Sequence, residues 1–239
     1  MRLDRALVAR GLFETRARAQ AAIAAGKVRV NGRVVRKAAL RVDGDADIRG
    51  EAAHPWVGRG ALKLAHALDV SGIGVEGALC LDVGASTGGF TEVLLARGAA
   101  RVVAVDVGRE QLHPRLRRDA RVTSLEGRDA RGLTRADTGR PDVVVCDASF
   151  IALHKVLEVP LGLAREGAAL VALVKPQFEA GPDAVGRGGV VRDAAARERA
   201  LSEACAWLAS VGWEVEGVTD SPVTGRGGNR EYLLWARRL

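Results

Sequence analysis

Residues 81–90 read Leu81-Asp82-Val83-Gly84-Ala85-Ser86-Thr87-Gly88-Gly89-Phe90. The apolar run Ala78 to Leu81 that leads into them has the character of a buried strand, and it ends in Asp82. A loop with glycines at 84, 88 and 89 follows, then the helix-like run Phe90 to Arg97. Strand, glycine loop and helix in that order make the nucleotide-binding corner of an open α/β sheet. Glycine lets the chain turn sharply and lets a ligand approach without meeting a Cβ. The dinucleotide fingerprint Gly-x-Gly-x-x-Gly is absent, because position 86 is Ser. The Gly-x-x-x-Gly-Gly spacing points instead to S-adenosylmethionine, which has no pyrophosphate to cradle.

Downstream, strand-like and helix-like runs alternate, which predicts a mainly parallel sheet. Strands are expected at 78–83, 101–106, 122–126, 142–147 and 169–174, with two late ones at 213–218 and 232–236. Helices are expected over 109–118, 151–165 and 193–210. Ligands of open sheets lie over the carboxyl ends of strands, so Asp82, Asp106, Asp129 and Asp147 are expected to converge there. Asp106, 22 residues after Gly84, is placed to accept hydrogen bonds from ribose hydroxyls. Asp129 is placed to face the adenine. Each could also be a simple turn or cap aspartate.

The chain has 239 residues and a formal net charge of +7. Residues 1–59 carry 13 Lys and Arg against 6 Asp and Glu, while residues 60–239 carry 23 of each. The whole excess therefore lies in the first quarter, as expected of a module that grips a polyanion. That quarter has its own architecture. Leu3, Leu7 and Val8 fall at helical spacing before Gly11. Thr15 is a cap for a second helix reaching Ala25, with Ala19, Ala22 and Ile23 as its apolar face. Lys27 to Val30 alternates as a half-buried strand, Asn31-Gly32 is a hairpin turn, and Arg33-Val34-Val35 returns. Arg16, Arg18, Lys27, Arg29, Arg33, Arg36 and Lys37 would decorate this surface and neutralise phosphates. Phe13 is the one aromatic residue among residues 1–48, which favours gripping structured RNA by backbone and shape over reading unstacked bases.

Three cysteines (Cys80, Cys146, Cys205) lie far apart without metal spacing and read as reduced thiols of a cytoplasmic protein. The four histidines (His54, His66, His113, His154) likewise show no ligand spacing, so no metal is expected. No apolar run approaches the ~20 residues that span a bilayer.

Lys63, Asp147, Lys175 and Glu231 are candidates for one catalytic constellation. Asp147 ends the fourth strand and Lys175 the fifth, so one substrate could touch both. A lysine at the end of an apolar strand needs carboxylate partners. Arg59 precedes this set and is a further RNA-binding candidate. The segment 176–192, with four glycines, Arg187 and Arg192, reads either as a lid over RNA or as an ordinary excursion.

Residues 1–48 resemble an S4 RNA-binding domain, on Arg2-Leu3-Asp4, Thr15-Arg16-Ala17-Arg18-Ala19, Ile23, Gly26-Lys27-Val28 and Val30-Asn31-Gly32. Residues 54–239 resemble the FtsJ-like RNA 2′-O-methyltransferases. The matching motifs are Gly58 to Leu64, Leu81 to Phe90, Val105 to Gly108, Cys146 to Phe150, Val174 to Glu179, Gly188 to Asp193, and Ser221-Pro222 through Gly228-Asn229-Arg230-Glu231. Together the two parts look like the TlyA/hemolysin A family.

The resemblance implies a seven-stranded, Rossmann-like α/β methyltransferase domain at 60–239, an S4 domain at 1–48 and a linker at 49–59. It implies S-adenosyl-L-methionine as cofactor, with Asp82, Gly84, Ser86, Thr87, Gly88, Phe90, Asp106, Asp129 and Asp147 around it. It implies a Lys-Asp-Lys-Glu tetrad, met here by Lys63, Asp147, Lys175 and Glu231, and cytidine 2′-O-methylation of ribosomal RNA or ribosomal subunits. Lys175 is then the expected base, oriented by Asp147 and Glu231, with Lys63 steadying the ribose or its phosphate. A family linker motif, Arg-x-Trp-Val, appears as His54-Pro55-Trp56-Val57. Trp56 is either a wedge between domains or a cover for local apolar surface. The competing expectations are a non-catalytic RNA-binding protein on a methyltransferase fold, a membrane-active cytolysin, and a methyltransferase acting on bases or small molecules.

Overall fold

The computed structural model describes residues 1–239, the Arg226 side chain excepted. The chain divides into two compact units, Met1–Pro55 and Trp56–Leu239.

In the first unit, α1 (Leu3–Ala9) packs on α2 (Arg16–Ala24). The Thr15 hydroxyl accepts from the Arg18 amide and so caps α2, a contact worth about 1 kcal/mol. Ala19, Ala22 and Ile23 are fully buried, as their i, i+3, i+4 spacing predicts. The hairpin joins β1 (Val28–Val30) to β2 (Arg33–Val34). Asn31 and Gly32 both have positive φ, 48° and 78°, as a type I′ turn requires. A third strand, β3 (Ile48–Gly50), pairs antiparallel with β1. The expected S4 boundary at residue 48 falls inside this strand, so residues 49 and 50, expected in the linker, are part of the sheet. The acidic and glycine-rich composition around β3 hid it, because three residues carry no readable period.

In the second unit the elements run α3 (Gly60–Ser71), β4 (Leu79–Val83), α4 (Gly89–Ala96), β5 (Arg101–Asp106), α5 (Pro114–Arg117), β6 (Val122–Glu126), α6 (Arg135–Thr138), β7 (Val143–Cys146), α7 (Leu153–Leu163), β8 (Ala169–Val174), α8 (Pro176–Glu179), α9 (Ala194–Ser210), β9 (Trp213–Asp220) and β10 (Tyr232–Arg238). The expected helix over 109–118 is only the four-residue α5: the Glu110 backbone has positive φ and Pro114 opens the helix, so no continuous turn can form earlier.

The seven strands lie in the order β6-β5-β4-β7-β8-β10-β9. The first five are parallel, and β10 inserts antiparallel between β8 and β9. Strands β7 and β8 are buried along their whole length, as expected of parallel strands covered on both faces. Cys80 faces the core under α3 and α4, and its neighbour Leu81 faces the core under α7 and α9. This alternation divides one apolar run between two layers of helix. Burial pushes the Cys80 and Cys146 thiols up to about 12, so both stay protonated packing groups. Trp56 packs against the α3–α4 core of this unit.

The strand order turns outward in both directions from β4. The crevice between β4 and β7 is therefore the switch point at which open α/β sheets bind ligands.

Candidate active site

Gly84 follows β4 and Asp147 follows β7, side by side at that switch point. The Asp147 amide donates to the Val83 carbonyl at 3.1 Å. Gly84 has φ +81°, and a Cβ there would lie 2.8 Å from the Ala148 Cα. Only glycine permits this approach, which brings the two loops together.

Two cavities open at this point. One, of about 680 Å³, is lined by Gly84, Asp106, Asp129, Ala148, Ile151 and Val156 among others. The other, of about 740 Å³, is lined by Lys63, Thr87, Phe90, Lys175, Gln177 and Glu231 among others. They share Gly84, Ser86, Asp147, Ser149 and Phe150 as walls.

The smaller cavity fits an adenosine-bearing cofactor. Its floor of Ala148, Ile151 and Val156 is apolar, as a purine ring requires. Asp106 is held in place by the Ser86 amide at 2.8 Å and the Gly108 amide at 2.7 Å. Its carboxylate keeps further lone pairs for hydroxyl donors. Asp129 lies in the same wall, ion-paired with Arg131 at 2.6 Å.

Two of the residues expected around the cofactor do not reach either cavity. Asp82 is fully buried beneath the loop and accepts a 2.6 Å hydrogen bond from the Thr91 hydroxyl. It braces α4 rather than touching a ligand, because its place inside β4 turns its side chain into the core. Gly88 backs onto Leu112 and Leu116 and serves as the left-handed residue that starts α4. Thr87 and Phe90 line the larger cavity, and Ser86 lines both.

Lys63, Asp147, Lys175 and Glu231 come together in the larger cavity. Lys63, on the first turn of α3, is 2.6 Å from Glu231 Oε2 and 3.8 Å from Asp147 Oδ1. Lys175 Nζ lies 2.7 Å from Asp147 Oδ1, at an angle too oblique for a hydrogen bond. Its hydrogen bonds go to the Asp147 carbonyl at 3.0 Å and the Ser149 hydroxyl at 2.9 Å. Lys63, Lys175 and Glu231 are only 8%, 5% and 4% exposed. Two ammonium groups and two carboxylates balance, which is the condition for burying charge at all.

The antiparallel β10 explains Glu231. Tyr232 pairs with Val174, so the residue before β10 lies beside the residue after β8, and Glu231 meets Lys175's end of the sheet. A parallel strand would have put it at the far edge.

Sequence reasoning placed Ser149, Gln177 and Asn229 inside matching motifs but gave none of them a role. Gln177 donates to Glu231 at 3.5 Å. Asn229 is buried, accepts from the Val191 amide and donates to the Gly189 carbonyl. It thereby ties segment 176–192 to the loop before β10. Their contacts are with neighbours far away in the chain, so the local motifs do not reveal what each one does.

In the first unit, Arg16 bonds the buried Asp4 at 2.8 Å, Arg29 the Gly32 carbonyl at 3.0 Å and Arg36 the Ala24 carbonyl at 2.9 Å. Arg18 pairs with Glu14 and Lys27 with Glu51. Arg33 and Lys37 are exposed, as is Arg59 in the second unit.

Residues 56–238 match the family model of FtsJ-like methyltransferases. The chain belongs to that family. Residues 1–48 match the S4 domain. The 16S/23S rRNA (cytidine-2'-O)-methyltransferase TlyA of Mycobacterium tuberculosis is 49% identical over 239 residues, 99% of this chain and 89% of that protein. A solved structure under the name hemolysin, from Streptococcus thermophilus, superposes with a TM-score of 0.80 at 39% identity, covering 100% of this chain and 88% of that one. The magnesium protoporphyrin IX methyltransferase of Synechocystis, solved with bound S-adenosylhomocysteine, has a TM-score of 0.53 at 16% identity over 76% of this chain and 83% of its own. At that distance it shares the fold alone. The chain therefore carries an FtsJ-like methyltransferase domain together with an S4 domain. Among the described residues, no helix is long and apolar enough to cross a membrane.

Proposed function

We propose that this protein is an S-adenosylmethionine-dependent methyltransferase of the cytidine 2′-hydroxyl in ribosomal RNA, working in the cytoplasm on ribosomal subunits. One observation carries the reading: the Lys-Asp-Lys-Glu cluster lies in one cavity, which shares Asp147, Ser149 and Phe150 as walls with the cavity suited to the methyl donor.

When bound, the cofactor supplies a methyl group on a sulfonium, already joined to a good leaving group. The protein's task is to present a ribose hydroxyl in line and to take its proton. Positioning supplies most of such an acceleration. Lys175, held against Asp147 and Ser149, acts as general base at its Nζ once that ammonium has given up its own proton and the neutral amine can accept the one from the ribose hydroxyl. Asp147 orients it. Glu231 fixes Lys63, whose ammonium steadies the ribose or the adjacent phosphate. The exposed Phe150 ring, at the wall common to both cavities, offers a face on which the target base stacks once drawn from its helix. Asp106 and Asp129 bind the cofactor's hydroxyls and adenine. In the first unit, Arg33 and Lys37 have no partner among the described residues and are the first candidates for phosphate contacts, followed by Arg16, Arg18, Lys27, Arg29 and Arg36; Arg59 serves in the same way on the second unit.

The test is transfer of a labelled methyl group to purified ribosomal subunits, followed by mass mapping of the RNA. A 2′-O-methylated cytidine formed by the wild-type protein and not by Lys175→Ala supports the reading. Labelling of a base, or none with either subunit, overturns it.

A further inference from the structure

Phe150 has an unusual place. The residue is 81% exposed, and its backbone has φ +67°, a region a bulky residue enters only when its surroundings impose it. Segment 147–153 is fastened on both sides of it by segment 175–179. Upstream, Lys175 bonds the Asp147 carbonyl and the Ser149 hydroxyl. At the level of the ring, Phe178 lies 5.1 Å from Phe150, centroid to centroid. Downstream, Glu179 Oε1 accepts from the Leu153 amide at 2.9 Å.

The last contact does for α7 what its own cap cannot. The residue before α7 is Ala152, which makes no side-chain cap. An acid 26 positions away in sequence supplies the acceptor instead, at the helix end where a negative charge is favoured. Burial pushes the Glu179 carboxyl up to about 7, and Glu203 adds to the same effect. The acid is thus held at a cost in a place where Leu153 is its hydrogen-bond partner.

We propose that Glu179 is a positioning residue: through the Leu153 amide it sets segment 147–153 so that the Phe150 ring stands ready at the cavity wall for the base of the target nucleotide. The identity of that ligand rests on the methyl-transfer reading above. The arrangement couples the arm bearing Lys175 to the arm bearing Asp147, so the base platform and the catalytic pair move as one.

The experiment is a double-mutant cycle on the full chain, read as affinity for purified ribosomal subunits with S-adenosylhomocysteine present. Glu179→Ala and Phe150→Ala are each expected to weaken subunit binding about tenfold, and the double variant no further, as loss of one stacked base would. Glu179→Gln keeps an acceptor of the same shape and is expected to stay within about threefold of wild type. S-adenosylhomocysteine affinity is expected to be unchanged in Glu179→Gln, and to fall less than subunit affinity in Glu179→Ala and Phe150→Ala, because Phe150 also lines the smaller cavity. Should Glu179→Ala fail to fold, Glu179→Asp, too short to reach Leu153, takes its place in the cycle. Wild-type affinity in Glu179→Ala, losses that multiply to about a hundredfold in the double variant, or an equal loss of S-adenosylhomocysteine affinity would each overturn the proposal. Methyl transfer by the wild type is scored separately: its absence rejects the functional reading, while the binding cycle still decides on Glu179.

Discussion

Lys63 and Glu231 are 168 positions apart in the chain and 2.6 Å apart in space. Neither is tolerable alone where it sits. Lys63 would be a buried ammonium with Asp147 3.8 Å away, and Glu231 a buried carboxylate with Gln177 3.5 Å away. Removing one partner of such a pair leaves the other uncompensated, at a cost of about 3 kcal/mol or more. Glu231→Ala is therefore expected to lower the melting temperature by about 10 °C, read by calorimetry. Glu231→Leu with Lys63→Met, which removes both charges, is expected to recover most of that stability while abolishing methyl transfer.

Lys175 is expected to be indispensable for chemistry and dispensable for the cofactor. It lines the larger cavity and is absent from the walls of the smaller one. Lys175→Ala should lose methyl transfer by at least about a hundredfold, the contribution of a positioned base. Calorimetric binding of S-adenosylmethionine should stay within about twofold. Normal turnover in this variant would remove Lys175 from the mechanism.

Gly84 is expected to be the least replaceable glycine of the loop. In Gly84→Ala the new Cβ meets the Ala148 backbone at 2.8 Å in a left-handed backbone conformation. Strain and clash together are expected to cost about 2 kcal/mol or more, and to weaken cofactor binding more than tenfold by parting the two loops. Gly132→Ala, where a Cβ meets nothing, is the control and should be close to neutral.

Asp82 gives stability a pH dependence. Burial pushes its carboxyl from 3.8 up to about 7, against the opposing Thr91 hydrogen bond. The folded protein therefore keeps this proton up to about pH 7, whereas the unfolded chain releases it near pH 4. Between these values the folded state binds more protons, so raising the pH across this window lowers stability. Asp82→Asn cannot ionise. Relative to wild type it should gain about 2–3 kcal/mol between pH 5 and pH 8, read from urea unfolding at the two pH values. An identical pH slope in both proteins would refute this role for burial.

Arg33 and Lys37 should contribute to RNA affinity without contributing to its selectivity. Each substitution to Ala should weaken binding to all structured RNAs alike and reduce the salt slope of log affinity by roughly one. Filter binding across a salt series measures this.

Much of this molecule is legible in its sequence because the signals are local. The Thr15 cap, the Asn31-Gly32 turn and the apolar face of Ala19, Ala22 and Ile23 each follow from residues a few positions apart. The strands from β4 to β8 are readable because burial on both faces demands unbroken apolar runs. The glycine loop after β4 has a spacing that speaks for itself. Where reading fell short, the deciding partner was remote. Strand β3 owes its place to pairing with β1, the helix expected at 109–118 gives way where the Gln111 and Leu112 amides turn to the Glu126 carboxylate, and Asp82 is turned inward by the parity of a strand whose faces the sequence does not label.

Composition and local pattern thus determined the two units, the sheet-and-helix alternation, the switch-point loop and the identity of the four charged residues. Tertiary structure alone decided which of them touch. It paired Lys63 with Glu231 because β10 runs against β8, set Lys175 against Asp147 because β7 and β8 are neighbours, and gave α7 its cap from Glu179. Charges are chosen one residue at a time, but the free energy of burying them depends on partners that only the folded chain brings within reach.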